Sequence, residues 1–169
     1  VMLASSIQAA LTGRFSGSEY GKSKLAGEEV FFQYGRETGA RVLVYRFPNL
    51  FGKWCRPNYN SAVATFCHAV ANNLEYTVND RTTELELLYI DDLVQEMLAA
   101  LEGKEHRCEY PGDGKCDGTK PVSSLKGRYC YVPVTHKAAL GEVVDLLTEF
   151  KNMSETLMIH EIPRGYSQR

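Results

Sequence analysis

Three side chains near the start of the sequence have the types and spacing needed to reduce a carbonyl group. Tyr20 and Lys24 are four residues apart, so on a helix they would share a face, where the ammonium group makes the phenol a usable acid near neutrality. Ser6, with Ser5 as the alternative, could supply a second hydroxyl. Carbonyl reduction by hydride needs a proton donor, a hydroxyl that orients the carbonyl and a cation that binds the cofactor ribose.

A Tyr-x-x-x-Lys spacing alone is common and often marks only an exposed helix pair. Here the pair begins a predicted helix, residues 20–37, between an apolar strand at residues 1–4 and a β-branched strand at residues 41–46. Strand, helix and strand in this order predict a right-handed crossover in a parallel sheet. Both serines and the Pro48-Asn49 turn would then lie at the carboxyl edge of that sheet, where ligands bind in open α/β folds.

The rest of the chain predicts smaller elements around this frame. Periodicity and turn residues indicate helices at residues 61–72, 91–103 and 137–151, strands at residues 74–78, 84–90 and 129–134, and a long loop or insertion at residues 104–127.

Four motifs, in this order, resemble the carboxyl-terminal portion of an extended short-chain dehydrogenase/reductase of the NAD-dependent epimerase/dehydratase superfamily. They are Ser5-Ser6, Tyr20-Gly21-Lys22-Ser23-Lys24-Leu25, Arg46-Phe47-Pro48-Asn49-Leu50-Phe51-Gly52 and Tyr89-Ile90-Asp91-Asp92-Leu93. Residues 5–9, 48–61 and 78–81 further resemble the bacterial capsular-polysaccharide reductases that act on UDP-linked amino sugars. The resemblance runs from residue 1 to about residue 103 and returns weakly at residues 132–151.

The resemblance implies an α/β fold with part of a Rossmann-like parallel sheet and a small α/β substrate-binding subdomain. Residues 1–53 would be the carboxyl-terminal part of the dinucleotide-binding domain, and residues 54–169 the substrate-binding subdomain and closing helices, with the insertion at residues 104–127. The implied reaction is reduction of a UDP-linked 4-keto amino sugar by NADPH, with NADH as the alternative, on the way to UDP-N-acetyl-L-fucosamine.

Carried over to this sequence, the resemblance makes Ser6 the carbonyl-orienting hydroxyl, Tyr20 the acid and Lys24 the partner of the ribose and the phenol. Pro48 would border the nicotinamide and Asn49 the sugar. For the UDP group the candidates are Arg56, Asn58, Asn60 and Arg81, because guanidinium groups bind diphosphates through paired hydrogen bonds and amides bind sugar hydroxyls. The alternative for these four is that they are solvated loop residues.

No G-x-x-G-x-x-G loop for the dinucleotide pyrophosphate occurs in the sequence, which opens on Val1. We therefore expect a fragment of a longer reductase that binds cofactor poorly or not at all by itself. Two alternatives stay open: a nucleotide-sugar epimerase or dehydratase, and a non-catalytic, truncated sugar-nucleotide-binding or assembly module. Epimerases often carry an arginine where this chain has Leu87 and Leu88, which disfavours the former.

Composition excludes several other classes of function. Nineteen basic and 21 acidic side chains give a net charge of −2, so no nucleic-acid or membrane partner is predicted. No apolar run is long enough to span a bilayer, and we expect a cytoplasmic protein. The partners considered for it are a second copy of the chain, in a homo-oligomer, or the missing amino-terminal segment. Five cysteines without a C-x-x-C pair predict reduced thiols and no metal centre. One pairing or metal site among Cys108, Cys116 and Cys130 is the alternative.

Overall fold

The computed structural model describes residues 1–111 and 119–157, and it is an α/β structure. The strands are β1 (Met2–Ser6), β2 (Leu43–Phe47), β3 (Asn49–Phe51), β4 (Glu84–Tyr89), β5 (Arg107–Glu109), β6 (Val122–Ser123), β7 (Tyr129–Cys130) and β8 (His136–Ala139). The helices are α1 (Glu19–Thr38), α2 (Ala62–Ala71), α3 (Ile90–Leu101) and α4 (Leu140–Thr156), and a 3₁₀ helix, Ile7–Ala10, follows β1.

The chain forms two compact units, each made of two segments. The first unit comprises Val1–Pro48 and Val94–Pro133, and the second comprises Asn49–Leu93 and Val134–Arg169, described as far as residue 157. Our sequence-based division instead cuts the chain once, after residue 53. The assignment of dinucleotide binding and substrate binding to the two sides of that cut stays a prediction.

The first unit contains a five-stranded sheet in the order β1-β2-β7-β5-β6. β1, β2 and β7 are parallel, whereas β5 runs antiparallel to β6 and β7. α1 connects β1 to β2, as predicted, and begins at Ser18, whose hydroxyl accepts a hydrogen bond from the Gly21 amide at 2.9 Å. Every residue of β2 is buried, which agrees with the prediction of a strand covered on both faces.

The second unit contains a three-stranded sheet in the order β3-β4-β8, with β3 parallel and β8 antiparallel to β4. Its core comprises Phe51, Leu85, Leu87, Tyr89, Ala138 and Val143. α4 begins after Ala139, whose amide donates to the Glu142 carboxylate at 2.8 Å. Within the described residues, no helix is long and apolar enough to cross a bilayer.

Several predicted elements are wrong or shortened. Residues 74–78 form no strand, because Leu74 and Tyr76 are exposed and no neighbouring strand pairs with them. The supposed loop at residues 104–127 contains β5 and β6, while residues 112–118 lie outside the described residues. β7 is shorter than the predicted strand at residues 129–134, and β8 replaces the start of the predicted helix at residues 137–151. Strands of two to four residues are too short to leave a periodic pattern.

Candidate functional site

The first turns of α1 bring Tyr20 and Lys24 together. The ammonium nitrogen of Lys24 lies 5.5 Å from the centroid of the Tyr20 ring. The same nitrogen donates a hydrogen bond to the carbonyl of Ala4 in β1 at 3.3 Å. Tyr20 is 48% exposed, so its phenol is accessible to a ligand. The predicted pairing on one helical face is therefore present, and Lys24 connects it to the middle of β1.

The start of α1 is fixed against the 3₁₀ helix that follows Ser6. Ser18 donates to the side-chain oxygen of Gln8 at 2.8 Å. A Cβ atom on Gly21 would lie 2.3 Å from the Gln8 carbonyl oxygen, so only glycine permits this approach. The backbone beside Tyr20 is thus held close to the backbone that carries Ser6.

The two serines at the end of β1 have different environments. Ser5 is buried, and its hydroxyl donates to Glu28 at 2.5 Å. Ser6 is half-buried, and its hydroxyl oxygen accepts from the Gln8 amide at 3.2 Å. That bond does not use the hydroxyl proton of Ser6, which can still be donated to a carbonyl. The structure therefore favours Ser6 over Ser5 as the candidate catalytic hydroxyl.

Sequence reasoning missed a buried ion pair beside these residues. Glu28 is fully buried, and it accepts from the guanidinium of Arg46 in β2 at 2.9 and 2.6 Å. Burial has the largest single effect and acts to lower the pKa of Arg46, but the hydrogen bond and the charge interaction with Glu28, together with the nearby Tyr129 and Tyr110, raise the pKa overall. Two signals could have revealed the pair: Arg46 interrupts an apolar strand, and Glu28 lies eight residues after Tyr20 on the same helical face.

Pro48 links β2 to β3, and Asn49 is the first residue of β3. Pro48 is half-buried and lacks an amide proton. Asn49 donates from its side-chain nitrogen to the Glu86 carbonyl at 3.1 Å, which holds the start of β3 against β4. Their predicted contacts with nicotinamide and sugar stay predictions.

The four predicted UDP-binding residues belong to the second unit and have separate surroundings. Arg56 lies over the Tyr59 ring at 5.8 Å, and Asn60 is exposed. The guanidinium of Arg81 donates to both carboxylate oxygens of Asp145 at 2.7 Å. The two arginines thus contact different residues in this structure, and their predicted joint binding of a diphosphate stays a prediction.

Asn58 borders a cavity in the second unit. Asn58 has a positive φ of 56°, and its backbone amide donates a hydrogen bond to the Thr65 hydroxyl at 2.9 Å. The cavity has a volume of about 360 Å³ and is lined by residues of α2 and of the segment 74–77, among them Phe66 and Tyr76. A larger apolar cavity of about 510 Å³ lies in the same unit, between β4, α2 and α4.

The cysteines and acidic residues form no metal centre in the part of the chain described here. Cys55, Cys67, Cys108 and Cys130 are free, as predicted, and Cys116 lies outside the described residues. Within residues 1–111 and 119–157, no three His, Cys, Asp or Glu side chains are grouped to bind a metal ion.

Comparison with known families identifies the chain's relatives. The NAD dependent epimerase/dehydratase family model matches residues 5–110, which is more than half of the chain. The chain belongs to this family. A UDP-2-acetamido-2,6-beta-L-arabino-hexul-4-ose reductase of Pseudomonas aeruginosa is 34% identical over 168 residues, covering 99% of this chain and 39% of the reductase. A UDP-glucuronate 4-epimerase of Arabidopsis thaliana is 28% identical over 150 residues, covering 88% of this chain and 33% of the epimerase.

Solved structures agree with this membership. The capsular polysaccharide assembling protein CapF of Staphylococcus aureus is 40% identical, with a TM-score of 0.78 over 99% of this chain and 39% of CapF. The UDP-glucose 4-epimerase of Thermus thermophilus in complex with NAD, at 20% identity and a TM-score of 0.63, shares the fold over 89% of this chain and 48% of that enzyme. The predicted Rossmann-like α/β fold and family resemblance are confirmed. The chain spans about two fifths of the length of the reductase and of CapF.

Proposed function

We propose that this chain carries the Ser/Tyr/Lys site of a nicotinamide-dependent reductase that acts on a UDP-linked 4-keto amino sugar. The observation that carries the proposal is the contact of Lys24 with both the Tyr20 ring and the carbonyl of Ala4 in β1, two residues before Ser6. The similarity to a reductase of a UDP-linked 4-keto sugar along 99% of the chain supports this choice of substrate class. Capsular polysaccharide synthesis, and the route to UDP-N-acetyl-L-fucosamine, belong to the same proposal.

The proposed reaction assigns one task to each side chain. Ser6 donates a hydrogen bond to the carbonyl oxygen of the sugar and orients it. Tyr20 gives its phenolic proton to that oxygen as negative charge develops on it, so the carbonyl becomes a hydroxyl. Lys24 stabilises the phenolate that remains. Asn49, Arg56, Asn58, Asn60 and Arg81 are the proposed contacts of the sugar and the diphosphate.

The hydrogen-bond donors of Lys24 and Tyr20 suit the ribose end of a nicotinamide cofactor. The Lys24 ammonium has three donors and directs one towards Ala4, which leaves donors for ribose hydroxyls. The exposed Tyr20 phenol and the half-buried Pro48 would hold the ribose and nicotinamide beside it. When bound, the cofactor supplies the hydride for the carbonyl carbon. We propose NADPH, with NADH as the alternative.

The test uses the product of the complete reading frame that encodes this chain. It is mixed with NADPH or NADH and the 4-keto sugar nucleotide for which the Pseudomonas relative is named, and loss of reduced nicotinamide is followed. We expect Tyr20→Phe to lower kcat by at least about 100-fold, because a positioned general acid contributes that much. The dissociation constant for the sugar nucleotide should change by less than about threefold, since the phenol acts mainly in the transition state.

Tyr34→Phe is the matched control, because Tyr34 is a second exposed tyrosine on α1. It should keep wild-type kcat. A Tyr20→Phe protein with wild-type turnover would contradict the proton-donor role. Sugar-nucleotide binding without turnover in the wild-type protein would instead favour the non-catalytic binding module.

A nucleotide-sugar epimerase or dehydratase is the second candidate, since a UDP-glucuronate 4-epimerase is also a relative. An epimerase interconverts two sugars without net consumption of cofactor, whereas the reductase consumes one reduced nicotinamide per sugar. Leu87 and Leu88 favour the reductase, because both are buried in β4 and offer no guanidinium at the position where epimerases often have one. Product analysis after exposure to UDP-glucuronate separates the two candidates.

A further inference from the structure

A buried ion pair begins on the same face of α1 that carries Tyr20 and Lys24. Glu28 follows Lys24 by four residues, so the three side chains occupy one helical face. The Glu28 carboxylate is fully buried and accepts two hydrogen bonds from Arg46, at 2.9 Å from Nε and 2.6 Å from Nη2. The proposed reaction does not use either charge.

This carboxylate binds the ends of two neighbouring strands at once. Ser5 of β1 donates to it at 2.5 Å, and Ser5 and Arg46 are partners in the parallel register of β1 and β2. One helical turn earlier, Lys24 donates to Ala4, the residue before Ser5. Two successive turns of α1 thus contact two successive residues of β1. Together these contacts fix both the rotation of α1 and its position along the strand.

The surroundings of Arg46 keep water away from the ion pair. Its guanidinium carbon lies 4.1 Å from the centroid of the Tyr129 ring and 5.1 Å from that of Tyr110. Arg46 also donates to the Tyr129 hydroxyl at 3.0 Å. Burying two charges is costly, and apolar residues of similar volume often stabilise a fold equally well. A role in geometry, rather than in stability alone, therefore explains the pair.

We propose that Glu28 is a positioning residue of the site: its carboxylate fixes the register of α1 against β1 and β2 and so holds Tyr20 and Lys24 at the end of β1, beside Ser6. The effect on catalysis rests on the proposed function. The effect on the register of α1 does not, and it can be measured without any reaction.

The first experiment compares Glu28→Gln with Glu29→Gln in the product of the complete reading frame. Glu29 is the adjacent carboxylate on α1, but it is exposed and pairs with Arg128, so it is a matched control. We expect Glu28→Gln to lower kcat at least about tenfold, because small displacements of reacting groups are costly. KM for the sugar nucleotide should change less than about threefold, since its proposed contacts lie elsewhere. Glu29→Gln should leave both constants unchanged.

A double variant separates positioning from stability. Glu28→Leu combined with Arg46→Met removes both charges and keeps similar side-chain volumes, which favours a stable fold. The buried Ser5 hydroxyl loses its acceptor, so the free energy of unfolding should fall by no more than about 1–3 kcal/mol and the protein should stay folded. If Glu28 acts by positioning, kcat stays at least about tenfold low even though the fold is stable. Wild-type kcat in a stable double variant would overturn the proposal.

Hydrogen exchange provides the readout that does not depend on activity. In the double variant, amides of residues 21–24, the first in α1 that are hydrogen-bonded, should exchange at least about tenfold faster than in the wild type, because the helix start is no longer held by Glu28. Amides of α4, in the second unit, should exchange at the wild-type rate. Unchanged exchange at residues 21–24 would contradict positioning by Glu28. If the wild-type protein reduces no sugar nucleotide while exchange responds as expected, the proposed function fails and the structural role of Glu28 stands.

Discussion

Ser5 and Ser6 have the same side chain but bind different partners, because one precedes the end of β1 and the other begins a 3₁₀ helix. Ser5 donates its proton to a buried carboxylate, and a hydroxyl has only one proton to give. Ser6 accepts a backbone amide proton and keeps its own. At the scale of single residues, the partner of each hydroxyl therefore decides which serine can orient a substrate carbonyl.

This difference predicts opposite effects of the two alanine substitutions. Ser5→Ala should lower the free energy of unfolding by about 1.5–3 kcal/mol, because it removes a hydrogen bond to a buried charged group. Ser6→Ala should lower kcat by about 100-fold or more, as loss of an oxyanion-hole donor does. Urea unfolding and steady-state kinetics of both variants provide the measurements. If Ser5→Ala kept the wild-type free energy of unfolding and lost more kcat than Ser6→Ala, the roles assigned to the two serines would be reversed.

Arg81 offers a second prediction at this scale, because its guanidinium is already paired. Both Arg81 and Asp145 are more than half exposed, so their ion pair contributes at most about 1 kcal/mol to stability. If Arg81 binds the diphosphate, Arg81→Ala should weaken UDP-sugar binding, whereas Asp145→Asn should keep or strengthen it by releasing the guanidinium. Calorimetric titration of both variants with a UDP-sugar measures this. Equal affinities for wild type and Arg81→Ala would make Arg81 an ordinary surface residue.

At the scale of elements, the sequence predicts those helices and strands whose ends and burial are specified by neighbouring residues. Ser18 and Gly39 flank α1, and the apolar run of β2 matches a strand buried on both faces. β5, and its pairing with the shortened β7, could not be predicted, since Cys108 and Tyr129 pair across about 20 residues of sequence that no periodicity connects. The contact of Glu28 with Arg46 was missed for a similar reason. An acidic residue of a helix and a basic residue of a strand become partners only when the crossover connection brings the two elements together.

The packing of α1 on the 3₁₀ helix predicts opposite effects at two glycines of the same helix. A methyl group on Gly21 would collide with the Gln8 carbonyl oxygen and the Leu11 side chain, whereas one on Gly27 would meet nothing within 4 Å. Gly21→Ala should therefore destabilise the fold by about 1–3 kcal/mol, as overpacking does. Gly27→Ala should stabilise it by about 0.5–1 kcal/mol, because alanine favours a helix over glycine. Urea midpoints of the two variants check this, and a stabilised Gly21→Ala protein would contradict the close approach.

At the scale of the whole molecule, the free cysteines are divided between the two units. Cys108 and Cys130 lie fully buried in the sheet of the first unit, whereas Cys55 and the exposed Cys67 belong to the second. Burial raises the pKa of Cys108 to about 12 and that of Cys130 to about 11. Alkylating reagents react with the thiolate form of cysteine, so the rate at which each cysteine is modified reports on the unit that contains it. Partial burial of the thiol also raises the pKa of Cys67, so we expect iodoacetamide at pH 8 to modify this exposed residue slowly in the folded protein. The reagent should reach Cys108 and Cys130 only after the first unit unfolds.

The same two thiols predict how stability depends on pH. In the unfolded chain they lose their protons near the ordinary pKa of 9.0, whereas in the folded chain they keep them until pH approaches 11 and 12. Their contribution to stability is therefore complete below about pH 9 and declines as pH rises towards the folded-state values. Urea midpoints of the wild type should fall between pH 8 and pH 10 more steeply than those of a Cys108→Ala/Cys130→Ala double variant, which lacks both titrating groups. Parallel pH profiles for the two proteins would show that these thiols ionise as easily in the folded sheet as in the unfolded chain.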